Sequence, residues 1–434
     1  MNVREQYQKK LTSPKEAVKR IVDGDIIDVH GSAQTSVVLL NELYQRKDEL
    51  NNVTVSSSLS SYSHDLFRLD CNDTFRYLST FLGGYERKAI KNGRQMDYFC
   101  FQLRNSEILK KMRLRPTVLF VMARPMDEDG YMNLSLSPGS MDVFAQDARE
   151  VIVHINDRLP HLEGSAIHIS QVTAVFEQNQ ELTPLISPEP AEEDLQVAAH
   201  IVERIPDKAC LQIGIGGISN AVGYSLVNHK HLGIHTEMFT ESMFYLMQKG
   251  AVDNSAKQLD KGTTVTGFAS GSLDMYEFLH HNPKVVTKPL SYTNNPYIVA
   301  QQDNFISVNS CISVDLTGQV CSESIGGKQF SGTGGQVDFV RGAQMSKGGM
   351  SFIAMRSTNT KKDGTTTSKI VFQHPAGEII TTLRTDVQYI VTEYGVADLL
   401  HETAANRAKK LIAIAHPDYR DELTYQAKQA GFLI

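Results

Sequence analysis

LQIGIGGISNAVGYSLVNHKHLGIHTEMFTES, residues 211–242, is the stretch whose reading decides the fold. Leu211 to Ile213 is a short apolar run with one polar break, fit for a buried strand. Gly214, Gly216 and Gly217 follow at once, where the chain must turn and where a ligand can approach the backbone closely. Ser219 or Asn220 is placed to cap a following helix whose apolar face is Ala221, Val222 and Leu226. Leu232, Gly233 and Ile234 begin a second strand, and Thr236, Glu237 and Met238 stand at its expected end. In open α/β sheets, ligands bind outside the carboxyl ends of the strands. Both the glycine loop and Glu237 fall at such ends, so Glu237 is a candidate nucleophile facing a backbone-lined pocket.

Working outward, the same order of elements recurs upstream. Pro14 follows Ser13 and precedes Glu16 in a capping box, and Ala17, Val18, Ile21 and Val22 form an apolar face. Ile26 to Val29 reads as a strand, 30–33 as a loop, 35–43 as a helix, and 53–55 as another strand. Val18, Arg20, Ile21 and Asp23 match Val202, Arg204, Ile205 and Asp207 at one offset, which also sets Val29 on Ile213 and the loop 30–33 on 214–217. After a gap, 53–57 lies opposite 233–237, which sets Ser57 against Glu237. The expectation is two similar open α/β domains with mostly parallel sheets, of which only the second supplies the reacting carboxylate. The runs 117–121 and 151–155 are densely apolar, as strands buried on two faces of a parallel sheet are. Between the halves, EQNQELTPLISPEPAEED (177–194) carries three prolines and an acidic run. The domains are therefore expected at 1–188 and 189–434. In the second, strands are expected at 285–286, 305–308, 351–355 and 388–391, and helices at 238–249, 403–415 and 420–430.

Composition narrows the function. A chain of 434 residues with 41% hydrophobic and 21% charged residues is an ordinary globular protein. A net charge of -6 gives no electrostatic case for nucleic acid. The polar start MNVREQYQKK does not read as a signal peptide, so none is expected, and no apolar run has membrane-spanning length. Five scattered cysteines show no metal or redox spacing, and Cys210 and Cys311 sit in apolar runs as buried thiols do. A cytoplasmic enzyme without metal or resident cofactor is the expectation. MDEDGY (126–131) reads as a surface turn, and the adjacent His280 and His281 are expected to point apart.

The glycine clusters exclude as much as they suggest. A dinucleotide fingerprint needs a third glycine where Ser219 stands, and in the second cluster, GTGGQVD (332–338), Val337 stands there. Neither cluster carries a phosphate-loop lysine followed by Ser or Thr, and there is no Gly-x-Ser-x-Gly elbow. One cluster alone is a tight turn; two at the ends of apolar runs favour a pocket of backbone donors. A lone glutamate beginning a helix usually serves the helix dipole.

The wider pattern decides the matter. GIGGISNAV (214–222), GIHTEM (233–238), YTNNP (292–296), VNSCISVDLTGQV (308–320), SGTGGQVDFVRGA (331–343), TEYGVADL (392–399) and HPDYR (416–420) resemble the acetyl-CoA hydrolase/transferase family, the class I CoA transferases. The resemblance spans nearly the whole chain and is thinner before about residue 195. It implies that acyl-CoA and a short carboxylate are the substrates and that Glu237 is the catalytic glutamate, passing through an acyl-glutamyl anhydride and a glutamyl-CoA thioester. It implies that the Gly335 amide is an oxyanion donor and Glu393 a second active-site glutamate. It implies that Asn294 or Asn295 stands near the thioester, that Gly214, Ile215, Gly216, Gly217, Gly332 and Gly334 line the substrate site, and that Lys347 contacts CoA. A homodimer or higher homo-oligomer is implied as well. The chain departs from the family pattern at Ser219, where proline is common, and at Glu241 and Ser242, so those positions are expected to line or support the acyl pocket. Hydrolysis of acyl-CoA on the same scaffold, and CoA binding without catalysis, are the alternatives.

Overall fold

The computed structural model describes residues 1–185 and 189–433, so the boundary expected at residue 188 lies outside the described residues. Two compact units form, Met1–Ile186 with Val265–Tyr292, and Ser187–Thr264 with Thr293–Ile434. The expected second domain is thus interrupted. Val265–Tyr292 is tied to the first unit by main-chain bonds such as Ala269 N to Leu136 O at 2.8 Å and Thr287 N to Glu163 O at 2.8 Å.

The first unit is built on seven parallel strands: β1 (Ile26–Val29), β2 (Val53–Ser57), β3 (Phe75–Ser79), β4 (Met96–Tyr98), β5 (Val118–Ala123), β6 (Glu150–Ile155) and β7 (Ala174–Glu177). Their spatial order is β4-β3-β2-β1-β5-β6-β7. All six residues of β5 are buried. Val118 and Phe120 join one core with Ile27, Val55 and Phe75, while Leu119, Val121 and Ala123 join another with Val151 and Val153. Burial on both faces is why this run is apolar without alternation.

In the second unit one sheet runs through β8 (Cys210–Ile213), β9 (Gly233–Phe239), β10 (Phe305–Ser310), β11 (Met350–Ala354), β12 (Tyr389–Thr392) and β13 (Gly395–Asp398). Their order is β9-β8-β10-β11-β12-β13, parallel except for the β12–β13 pair. This repeats the β2-β1-β5-β6-β7 order of the first unit. The main chain repeats as well: His30 donates to Phe120 O at 3.2 Å, and Gly214, its counterpart, donates to Val308 O at 2.9 Å. The repeat corrects one detail. Ile26 pairs with Thr54, and its counterpart Cys210 pairs with Gly233, so Ser58 rather than Ser57 takes the place of Glu237. Glu237 has a serine counterpart in either register.

Several boundaries move. β9 runs through Phe239, and the next helix begins at Glu241, so Glu237 sits inside a strand instead of opening a helix. The helix after the glycine loop is Gly217–Ser225, with Gly216 at its N-cap; Ser219 and Asn220 are inside it. The last helix begins earlier than expected, at Pro417, with His416 as its cap, and runs to Gln429. His280 and His281 do not point apart. Their rings lie 4.2 Å from each other, and His281 stacks on His161 at 4.6 Å. His281 has φ 55, outside the extended conformation in which neighbouring side chains alternate. MDEDGY is a turn in which Asp127 Oδ1 accepts from Asp129 N and Tyr131 N. Cys210 and Cys311 are buried, and burial pushes both thiols up to about 12. No helix among the described residues is long and apolar enough to cross a membrane.

Candidate functional site

The start of β9 is pinned before its functional end is reached. Asn254 Oδ1 accepts from Ile234 N at 2.9 Å, and the buried Lys257 ammonium donates to Ile234 O at 2.9 Å. Alternation along the strand then places His235 and Glu237 on one face and Thr236 and Met238 on the other.

Two elements meet the Glu237 face. One is the segment leading into the short helix Pro296–Val299. Asn295 caps that helix, its Oδ1 accepting from Tyr297 N at 3.0 Å. With Asn295 so occupied, Asn294 is the amide that reaches the carboxylate: its Nδ2 donates to Glu237 Oε2 at 2.7 Å. The other element is the helix Gln336–Met345, whose N-cap is Gly335. This helix packs closely on Pro296–Val299, since a Cβ at Gly342 would lie 2.4 Å from Val299 Cγ1. The packing brings Gly335 against the carboxylate. A Cβ there would lie 1.9 Å from Glu237 Oε2 and 2.3 Å from Asn294 Nδ2. Gly335 is glycine because the carboxylate and the amide occupy the space a side chain would need. Its own φ of -99 is open to any residue.

The loop before Gly335 is held from outside. Thr333 Oγ1 donates to Glu323 Oε2 at 3.2 Å, and Ser331 Oγ donates to Gly332 O at 3.0 Å. Gly334 has φ 63, and that left-handed conformation turns the chain into the helix. Asp338, three residues into the same helix turn, is only 1% exposed.

Glu237 remains partly accessible, yet protein surrounds most of its carboxyl. Burial pushes that carboxyl from near 4.5 up to about 7; the Asn294 hydrogen bond opposes the rise and the Asp338 carboxylate adds to it. A carboxyl raised by folding costs stability when it ionises. The cost is absent below the unfolded value near 4.5, grows with pH, and is complete above about 7. Glu237→Gln should therefore raise the melting temperature at pH 8, by about 2 °C or more, and leave it unchanged at pH 4.5, where both side chains are neutral. Equal shifts at both pH values would show that the carboxyl is not strained by its surroundings.

The first glycine loop follows β8, the neighbour of β9 in the sheet. Cys210 pairs with Gly233 and Leu211 with Ile234, and continuing that register brings Gly214 level with Glu237 on the neighbouring strand. Gly216 takes φ 104 with open space around it, and Ile215 is 48% exposed. Behind the loop, Asp194 lies against Gly217 and is held by two Arg356 bonds of 2.8 Å. Gln212, Ser307 and Asn309 form a hydrogen-bonded triangle beneath it, with bonds of 2.9 to 3.3 Å.

The other expected residues have contacts of their own. Glu393 follows β12 and accepts from Ser357 N at 2.8 Å and Ser357 Oγ at 2.5 Å. Lys347 is exposed just past the C-terminal end of Gln336–Met345, a helix length of about 15 Å away from Gly335. Ser242 is buried against Gly223, where a Cβ would meet its own at 2.4 Å, so it fits two helices together. Ser219 is fully buried in its helix. Sequence reasoning assigned no role to His235, Thr293 or Asp338. The strand alternation that sets His235 beside Glu237 was the one available signal; Thr293 and Asp338 arrive through long-range packing.

Comparison with known proteins gives the family. The acetyl-CoA hydrolase/transferase N-terminal domain model matches residues 1–187, and the C-terminal domain model matches 271–427. The chain is 38% identical to a butyryl-CoA:acetate CoA-transferase of Anaerostipes caccae, over 99% of this chain and 98% of that one. It is 36% identical to a 4-hydroxybutyrate coenzyme A transferase of Clostridium kluyveri, over 99% and 100%. Among solved structures it is similar to RipA from Yersinia pestis, at a TM-score of 0.93 and 34% identity with both chains fully covered.

Proposed function

The chain belongs to the acetyl-CoA hydrolase/transferase family and is a CoA-transferase, and from this premise we propose that it moves CoA between a short-chain acyl-CoA and a free carboxylate with Glu237 as covalent nucleophile. The Glu237 carboxylate attacks the thioester carbonyl. The carbon–sulfur bond breaks, CoA leaves as thiolate, and an acyl-glutamyl anhydride remains. The thiolate then attacks the glutamyl carbonyl, releasing the first acid as carboxylate and leaving a glutamyl-CoA thioester. A second carboxylate runs the sequence in reverse and departs as its CoA ester. No proton is consumed overall, and the anhydride keeps the free energy of the thioester as long as water is excluded. The Gly335 amide is assigned to the oxyanion formed at each attack. Acetate, butyrate and 4-hydroxybutyrate are the acids to try first.

One observation carries this reading: a single partly accessible carboxylate, raised towards neutrality, is gripped by Asn294 against the bare Gly335 backbone. Acetyl-CoA should be incubated with and without butyrate while total thioester and butyryl-CoA are both followed. Transfer requires the acceptor and conserves thioester. Loss of thioester without acceptor would make the protein a hydrolase, and no change in either would leave a binding protein. Because the attacking species is the ionised form, kcat/KM should fall as pH drops through about 7. A flat profile from pH 5 to 8 would remove Glu237 from the rate-determining chemistry.

A further inference from the structure

Three hydrogen bonds, two of them buried, lead from the strand to the nucleophile. His235 Nε2 lies 2.9 Å from Thr293 O, Thr293 Oγ1 donates to Asn294 Oδ1 at 2.9 Å, and Asn294 Nδ2 donates to Glu237 Oε2 at 2.7 Å. His235, Thr293 and Asn294 are each 0% exposed. The directions follow from what each group can do. An ionised carboxylate only accepts, so the amide must present its NH2 to Glu237. Its oxygen then faces Thr293, and the Thr293 hydroxyl must donate. The Thr293 carbonyl only accepts, so His235 carries its proton on Nε2.

We infer that Thr293 is a positioning residue whose hydroxyl fixes the Asn294 amide in the one orientation that donates to Glu237, with His235 anchoring the Thr293 main chain. The inference rests on the reading of Glu237 as nucleophile. An amide is nearly symmetric in shape. Turned over, it would set its oxygen against the carboxylate, repelling the charge instead of holding it. The carboxylate selects the orientation that turns the NH2 towards it, and the Thr293 hydroxyl, donating to the Asn294 oxygen, holds the amide there. Asn294 therefore depends on a residue that never touches the carboxylate. The strand alternation that sets His235 beside Glu237 lets one strand hold both ends of the relay.

The test compares wild type with Thr293→Val, which keeps the shape and removes the donor, and Thr293→Ser, which restores it. Transfer is measured from pH 5 to 9. Separately, the ionisation of Glu237 is read without turnover, as the carboxyl infrared band of each protein minus that of its Glu237→Gln form. Thr293→Val should lower kcat about tenfold, the scale of one buried hydrogen bond, with KM within about twofold of wild type. The Glu237 midpoint should rise above about 7, because the opposing amide contact is lost. Thr293→Ser should return both towards wild type. An unchanged midpoint and kcat in Thr293→Val would overturn the inference. So would a serine variant as impaired as the valine one, since only general damage would then remain. If Thr293→Val does not fold, Thr293→Ala takes its place. If Glu237→Gln retains full transfer, the proposed function fails by itself, and the infrared midpoint still shows whether Thr293 orients Asn294.

Discussion

Glu237→Ala is expected to lower kcat for transfer by about 10⁴-fold or more, the usual cost of deleting a covalent nucleophile. The fold should survive, because the residue ends in a partly open site and its ionised form strains the native state. Glu237→Asp should also be poor. One missing methylene withdraws the carboxylate by about 1 Å, and a misplacement of that size costs on the order of 100-fold. A second readout does not depend on rate. Wild type given acyl-CoA alone should accumulate the glutamyl-CoA thioester, and borohydride should reduce it to an alcohol at residue 237, seen as a mass change in the peptide. A label on Glu241 or Glu393 would move the nucleophile. The contacts already argue against Glu393, whose two oxygens are held by Ser357. Transfer without any covalent species would defeat the mechanism.

Much of the architecture was legible because its cause is local. Strand, loop and helix between Leu211 and Phe239 follow from apolar runs broken by glycine, and the upstream copy could be matched at a fixed offset. Glu237 was also within reach, since strand ends in a parallel sheet are where ligands lie. Its neighbours were not. Asn294 and Gly335 lie 57 and 98 residues further along the chain, and only the close packing at Gly342 brings their two helices together. The choice between Asn294 and Asn295 needed the structure, because either amide can cap a helix and only the observed cap shows which one is taken. The one-residue shift that replaces Ser57 by Ser58 is a ladder register, which weak sequence identity does not define. What Ser219 and Ser242 pack against was hidden for a different reason. A small polar residue fits a pocket wall and a close helix contact equally well in sequence, and burial alone separates them.

Gly335→Ala should be about as damaging as Glu237→Asp, through a single methyl group. Backbone strain is not the cause, since φ -99 and ψ 5 suit alanine. The cause is steric. The new Cβ would stand 1.9 Å from Glu237 Oε2 and 2.3 Å from Asn294 Nδ2, so carboxylate and amide must both retreat. Ordinary carbon–oxygen contact needs about 1.5 Å more room. Moving the attacking oxygen that far should cost on the order of 100-fold or more in kcat/KM, and overpacking should cost roughly 1–3 kcal/mol of stability. Poor transfer alone would not prove the steric account, because a displaced oxyanion donor would also slow the reaction. Coupling separates the two. Glu237→Asp draws the carboxylate back and makes space for the methyl, so the double variant Glu237→Asp, Gly335→Ala should be no slower than the slower single variant. If the two losses instead multiply, the residues act independently, and Gly335 serves the reaction through its amide and not through the space it leaves.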